Sequence, residues 1–240
     1  SISDNAFVVW SALQPLCNND DLLLSINYIG YLIYGRKPKR NEHDNIHEGF
    51  KELIDSGVIQ ITEQLSQTEY VCNLSALYLK PNTEFFCVIY YDELHKIMNL
   101  DVRTDKFKLF RYFACIVGCF NFSKNIDEIY RGKICGVSVD SICSLIPKTT
   151  ALRYNDILEE NNIIFIFRFD DFLLSQEHGL SKIPNAYSRY EHKDLCITFA
   201  ATYQSNYGHN AFTTKKIKEK ETANYNRSMS QKYNHFQKGK

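Results

Sequence analysis

The sequence lacks the motifs that identify the common classes of enzyme. Its 240 residues contain no P-loop, no G-x-G-x-x-G fingerprint, no G-x-S-x-G nucleophile elbow and no H-E-x-x-H zinc motif. His43 and His47 are spaced to share one face of a predicted helix, but Glu48 does not occupy the position of the glutamate in such zinc sites. We therefore interpret both histidines as surface residues and expect neither enzymatic activity nor a cofactor.

Cysteine pairs with the spacing of a zinc site are also missing. No two of the eight cysteines form a C-x-x-C motif, and several lie inside apolar runs. Cys115 and Cys119 share one face of a predicted helix, but that helix is apolar nearly all round, and burial raises the pKa of a thiol. We expect reduced, packed thiols and no metal site.

The chain has no net charge, because 28 basic residues balance 28 acidic ones. The balance is uneven along the sequence. Residues 211–240 hold eight basic and two acidic residues, which leaves 20 basic and 26 acidic residues, a charge of −6, for residues 1–210. A protein that coats nucleic acid by overall charge is therefore excluded, and any DNA-binding surface must be local.

No apolar run approaches the roughly 18 residues that a membrane span needs. The first residues show neither the charged region nor the apolar region of a signal peptide. We expect a cytoplasmic protein with no membrane partner. A hydrophobic content of 44% is sufficient for a core.

One pattern occurs twice along the chain: a short helix, a turn, a longer helix and a break into β-branched and aromatic residues. The first copy predicts helices over 7–16, 26–33 and 42–56, then strands over 58–62 and 70–74. Ser25 is a predicted N-cap, and Gly57 a predicted helix end.

The second copy starts after Pro81. It predicts a strand over 85–91, helices over 92–99, 107–122, 139–146 and 149–161, and a strand over 163–169. Periodicity does not decide between strand and helix for 195–203. The fold class is therefore mainly α with small β hairpins (α+β). We predict domains over 1–82 and 83–190, a C-terminal extension over 191–210, and a basic, mobile tail over 211–240.

The residues with the clearest chemistry lie at the start of the predicted helix 149–161. In a helix-turn-helix the second helix enters the major groove and presents its N-terminal side chains to bases and phosphates. The side chains at this end are Lys148, Thr149, Thr150 and Arg153, which bond phosphate or base edges. A solvated face of a helical domain is the alternative interpretation.

A second group of candidate DNA contacts lies in the first copy. Arg36, Lys37, Lys39 and Arg40 fall within five residues of an otherwise acidic region, and this clustering predicts a phosphate site; a solvated turn is the alternative. We also assign DNA contacts to Asn45 in the following helix and to Lys215 and Lys216 in the basic tail.

The residues Thr150, Arg153, Tyr154, Ile157 and Leu158, followed by the apolar pair at 163–164, resemble winged helix-turn-helix proteins of low-GC Gram-positive bacteria, their plasmids and phages. The stretch 183–191 is similar to the Asn-x-Tyr-Gly-Arg-Tyr element of such proteins, with Ser188 in place of the glycine. Residues 28–59 are similar to the first of two such domains. The resemblance implies tandem winged helices that bind double-stranded DNA, in replication initiation or transcription regulation.

Two functions therefore remain open at the level of sequence. The first is a sequence-specific DNA-binding protein of a mobile element, either a replication initiator or a regulator. Two different reading helices suit direct repeats or asymmetric sites, whereas a palindrome requires a dimer. The second is an interaction module that docks a replication or transcription protein. The predicted wings favour this interaction module. The loop 63–69 has two acidic residues and no lysine or arginine, and the loop 170–184 begins with two acidic residues.

Overall fold

The computed structural model describes residues 2–17, 21–77, 87–120, 127–142, 146–169, 172–175, 179–206 and 212–213. The chain divides into two compact units, residues 1–119 and 120–240, and both combine helices with small antiparallel sheets. The α+β class predicted from the sequence is therefore confirmed. Among the described residues, no helix has the length and apolar character of a membrane span.

The first unit contains five helices and three strands within its described residues. In chain order they are α1 (Asp4–Leu13), β1 (Asp21–Ser25), α2 (Ile26–Tyr34), α3 (Arg40–Asp55), β2 (Gln60–Gln64), β3 (Glu69–Asn73), α4 (Tyr91–Met98) and α5 (Lys106–Cys119). Short 3₁₀ helices cover Gln14–Leu16 and Ser75–Leu77. As predicted, Ser25 caps α2 by accepting the N–H of Tyr28 at 3.1 Å, and Gly57 follows α3 with a φ of 73°.

The three strands of the first unit form an antiparallel sheet in the order β1-β3-β2. β3 lies in the centre, where Cys72 pairs with Leu22 of β1 and with Ile61 of β2. The sequence did not predict β1, because only three apolar residues, followed at once by a helix cap, leave too little alternation to recognise. In the sheet, Leu24 is buried while Leu23 is exposed, as strand geometry requires.

The core of the first unit includes α4 and α5. α5 is buried on most of its surface through residues such as Phe107, Phe110 and Phe113, in accordance with its predicted all-round apolar character. α5 packs against α1, and α4 packs against α2. The boundary given by these contacts, at 119/120, differs from the predicted boundary at 82/83. Residues 87–90, predicted as part of a strand, pair with no strand in the described structure, and α4 begins directly after them.

The second unit contains β4 (Ile134–Val137), α6 (Val139–Ile142), α7 (Lys148–Glu160), β5 (Ile164–Phe167), β6 (Phe172–Ser175), β7 (Gly179–Lys182), β8 (Asn185–Arg189), α8 (Lys193–Asn206) and β9 (Phe212–Thr213). One antiparallel sheet has the order β4-β8-β5. A smaller sheet has the order β7-β6-β9. α6 is the described part of the helix predicted over 139–146, and residues 143–145 lie outside the described residues.

The central strand of the larger sheet is β8, which was not predicted as a strand. Ser188 pairs with Ile134 on one side and Phe165 on the other, and its side chain is fully buried. α8 covers this sheet with Cys196, Phe199 and Ala200, and these buried positions have helical spacing. The undecided segment 195–203 is therefore helical.

The predicted tail does not lie wholly outside the sheets. Phe212 and Thr213 form β9, which pairs antiparallel with β6. Phenylalanine and threonine both favour extended backbone, so this short segment suits the edge of the hairpin. The remaining tail residues, 211 and 214–240, lie outside the described residues.

The two larger sheets share one connectivity. In each unit a first strand leads into two successive helices, a second strand follows, and a third strand returns between the first two. In the first unit these elements are β1, α2, α3, β2 and β3. In the second unit they are β4, α6, α7, β5 and β8, with the β6–β7 hairpin between the last two strands.

Candidate nucleic-acid interface

The turn between α2 and α3 is held by tight packing. Gly35 follows the last residue of α2, and its φ of 66° lies in the left-handed region that glycine adopts readily. Its N–H donates to the carbonyl of Tyr31 at 2.8 Å. Pro38 then folds back onto α2. A Cβ on Gly30 would stand 2.4 Å from Cγ of Pro38, so the close approach requires a glycine there. The turn therefore has a defined shape before any ligand binds.

Arg36 is bound inside this turn. Its Nη1 and Nη2 donate to the two carboxylate oxygens of Glu42 at 2.8 and 2.7 Å, and its Nε donates to Oδ1 of Asn99 at 3.1 Å. The guanidinium also lies 5.0 Å from the ring centre of Tyr34. The hydrogen bond from Arg36 is the main cause that lowers the pKa of Glu42, and Glu42 raises the pKa of Arg36. Arg36 thus serves the internal structure, although the sequence suggested a phosphate contact.

The other cations of the turn point outward. Lys37, Lys39 and Arg40 are exposed, and they flank the N-terminus of α3. The backbone N–H of Lys39 donates to Glu42 at 2.6 Å, which fixes the start of the helix. Asn45, also a predicted contact, lies further along α3 and is half-buried. The structure therefore places three of the five predicted residues of this unit on an accessible surface.

The structure adds one cation that the sequence did not suggest. Lys106 is the first residue of α5, and its Nζ donates to the carbonyl oxygen of Met98 at 3.1 Å. Burial is the main cause that lowers its pKa, and Lys39 and Arg36 are close enough to lower it further. No local pattern reveals this position, because Lys106 lies far from the turn in the sequence and approaches it only through packing.

The N-terminus of α7 presents the predicted residues of the second unit. Lys148, Thr149 and Arg153 are exposed, while Thr150 is half-buried and its N–H donates to the carbonyl of Pro147 at 2.9 Å. Lys148 also pairs with Asp140 at 2.8 Å, and both side chains remain largely exposed. On the opposite face, Ala151, Tyr154 and Leu158 are buried, as their spacing predicted.

The exposed face of α7 changes character along its length. Beyond Arg153 it carries Asp156 and Glu160, both exposed. Arg168 pairs with Glu159 at 2.7 Å and approaches Asp156 at 3.7 Å. Positive charge and hydroxyl groups are therefore concentrated at the start of the helix, where a groove-binding helix makes its contacts.

Other predicted features contribute less to this surface. The loop between β2 and β3 is exposed and carries no lysine or arginine. Lys215 and Lys216 lie outside the described residues. No group of three histidine, cysteine or acidic side chains suited to a metal occurs in the part of the chain that the structure describes. Burial raises the pKa of Cys17, Cys72 and Cys196 to about 11, so these thiols are protonated at neutral pH.

Comparison of the chain with protein-family models, curated proteins and solved structures finds no match.

Proposed function

We propose that this chain binds double-stranded DNA through two winged helix-turn-helix domains in tandem. The observation that carries the proposal is the connectivity shared by the two three-stranded sheets. A strand, two helices, a second strand, a hairpin connection and a returning central strand are parts of the winged helix that the resemblance implies. Such a domain uses its second helix to read the major groove. The corresponding helices here are α3 and α7.

The two domains divide the work in this proposal. α7 reads bases, because Lys148, Thr149 and Arg153 stand exposed at its start, and such side chains bond base edges. The first domain contacts the backbone instead. Its turn carries exposed cations, whereas the exposed face of α3 mixes Lys51 with Asp44 and Glu48. The first domain therefore contributes affinity and the second contributes specificity.

A role in replication initiation or transcription regulation of a mobile element remains the biological proposal. Both roles need one chain to recognise a defined duplex. Two different winged helices in one polypeptide, of which only α7 reads bases, favour an asymmetric site over a palindrome. The target sequence would therefore distinguish this arrangement from that of a dimeric regulator.

Selection from a random-sequence duplex pool tests the proposal. We expect the intact chain to enrich one sequence and to lose affinity steeply between about 50 and about 200 mM salt. Arg153→Ala should relax preference at particular bases and cost about 1–3 kcal/mol if Arg153 binds a guanine. Arg131→Ala is the matched control. Arg131 is exposed in the turn before β4, so this substitution removes the same charge from a position outside α7.

Docking of a replication or transcription protein is the second candidate. The observation that favours it is the first unit's hairpin loop, which is exposed but carries no positive charge for a phosphate. Equal, sequence-independent effects of the Arg131 and Arg153 variants would remove base reading by α7. Absence of salt-dependent duplex binding would remove the DNA proposal as a whole and leave partner docking in its place.

A further inference from the structure

The C-terminal end of α4 brings two cations together. Asn99, the residue after α4, accepts a hydrogen bond from Arg36 and donates one to the carbonyl of Tyr34 at 2.8 Å. Its neighbour Met98 accepts the bond from Lys106. Two adjacent residues therefore hold Arg36 and Lys106, and the ammonium group of Lys106 lies beside the turn between α2 and α3.

Among the described residues, cations outnumber acids around Lys106, because Lys106, Lys39 and Arg36 face only Glu42 and Asp101. Glu42 is the nearby acid with the strongest influence, but both of its oxygens already bind Arg36. Asp101 has a smaller effect than Lys39 and Arg36, which oppose the charge on Lys106. A partly buried cation beside other cations is stabilised when an anion arrives, because the anion replaces the lost hydration and offsets the repulsion.

The N–H donors of Lys106 and of the exposed cations at the turn are available to a ligand. The ammonium group of Lys106 has three N–H bonds, and Met98 accepts one of them. The side chains of Lys37, Lys39 and Arg40 form no hydrogen bond or ion pair within the described part of the chain. These cations come from two separate elements, the turn before α3 and the start of α5.

We infer that Lys106 completes a phosphate-binding site with Lys37, Lys39 and Arg40, and that this site holds a phosphodiester of the DNA backbone beside the start of α3. The inference rests on the proposed function and assigns one contact within it. Lysine binds phosphate as a point charge and needs no fixed pairing geometry. Arg36 does not contact the phosphate; it positions the turn that presents the lysines.

The test measures how the affinity of the full chain for a labelled random-sequence duplex depends on salt. Lys106→Met introduces an apolar side chain of similar length and removes the charge. This variant should reduce the slope of log K against log salt by about 0.9. The wild type then loses about threefold more affinity than the variant between about 50 and about 200 mM salt. Lys106→Arg should keep the wild-type slope.

Lys108→Met is the matched control. Lys108 lies two residues further along the same helix, is exposed, and stands 3.7 Å from Asp105. The Lys108→Met substitution removes the same charge from a different face of α5. The slope of log K against log salt for this variant should therefore equal that of the wild type. If Lys106→Met does not fold, as judged by circular dichroism, the exposed Lys39→Met carries the test with the same expected decrease.

The outcomes separate the two proposals. Normal binding by the wild type with an unchanged slope in Lys106→Met, or in Lys39→Met where that variant carries the test, overturns the assigned phosphate site and leaves the proposed function standing. A wild type without salt-dependent duplex binding overturns the proposed function and this site with it.

Discussion

Arg36 and Lys37 are adjacent and carry the same charge, yet their side chains have different surroundings. Arg36 binds Glu42 with both terminal nitrogens and also reaches Asn99, whereas Lys37 is exposed. A run of basic residues in a sequence therefore does not identify which of its members is available to a ligand. At the scale of single residues, the division is set by which acid lies within reach after folding.

This difference predicts opposite results for two neighbouring substitutions. Arg36→Ala should lower the free energy of unfolding by about 1–2 kcal/mol, a reduced value because its side chain is 37% exposed and partly screened by solvent. Lys37→Ala should change it by less than about 0.5 kcal/mol. Urea denaturation followed by circular dichroism measures both. Equal values for the two variants would contradict the internal role of Arg36.

Glu42 makes stability depend on pH in a defined direction. Its pKa in the folded state is lowered, chiefly by the hydrogen bond from Arg36, so folding favours the ionised form. This contribution is present above the pKa of the unfolded chain and is lost as the pH falls through the lowered pKa of the folded state. Thermal melting between about pH 7 and about pH 3 should therefore show a smaller loss of stability in Glu42→Gln than in the wild type. Parallel curves would exclude Glu42 as a contributor.

At the scale of elements, the position of α3 depends on a close contact with α1. A Cβ on Gly49 would lie 2.6 Å from the backbone carbonyl carbon and oxygen of Asn5, so α3 approaches the start of α1 more closely than any other residue type permits. Glycine has a lower helical propensity than alanine, and the close contact between α3 and α1 offsets this cost. The N-terminal start of α3, with its cations, is oriented by the same packing.

Two glycine-to-alanine substitutions test this dependence. Gly49→Ala should destabilise the protein by about 1–3 kcal/mol, because α1 and α3 must separate. Gly118→Ala is its control within another helix, since a Cβ there meets no atom within 4 Å, and it should be neutral or stabilise by up to about 1 kcal/mol. Chemical denaturation compares them, and a Gly49→Ala variant as stable as Gly118→Ala would contradict the packing described.

At the scale of the whole molecule, the chain combines an acidic body with a basic C-terminal segment. Residues 1–210 carry a charge of −6, and the eight basic residues of the tail all follow Thr213. The pairing of β9 with β6 shows where a truncation can begin without removing a strand. Any long-range attraction to DNA must therefore draw on the two local clusters and on the segment 214–240.

Deleting residues 214–240 should leave the melting temperature unchanged, because the segment contains few large aliphatic side chains and β9 is retained. Affinity for a random-sequence duplex should fall, and the salt dependence should weaken, as phosphate contacts are lost. Calorimetry and anisotropy measure the two effects separately. A melting temperature lower by several degrees would show that the segment packs on the body and would contradict the prediction.

The sequence by itself determined the elements that local patterns encode. The stripe of Ile46, Phe50 and Leu53 predicted α3, and the caps at Ser25 and Gly57 were correct, because helix formation and capping depend on residues within a few positions. The α+β class and the exposed start of α7 followed from the same local information. The DNA-binding role, which the resemblance to winged helix-turn-helix proteins implies, stays a prediction.

Only the tertiary structure decided which distant segments meet. β1, β4 and β8 are short strands that become recognisable through pairing, and the helical state of α8 depends on the sheet that it covers. The same is true of the candidate site. Arg36 binds Glu42, which lies in the next helix, and Asn99, which is distant from it in the sequence. Lys106 lies beside the basic turn because Met98, at the end of α4, binds Lys106 and the next residue, Asn99, binds Arg36. Contacts between residues far apart in the chain are set by packing, and packing has no local signature in the sequence.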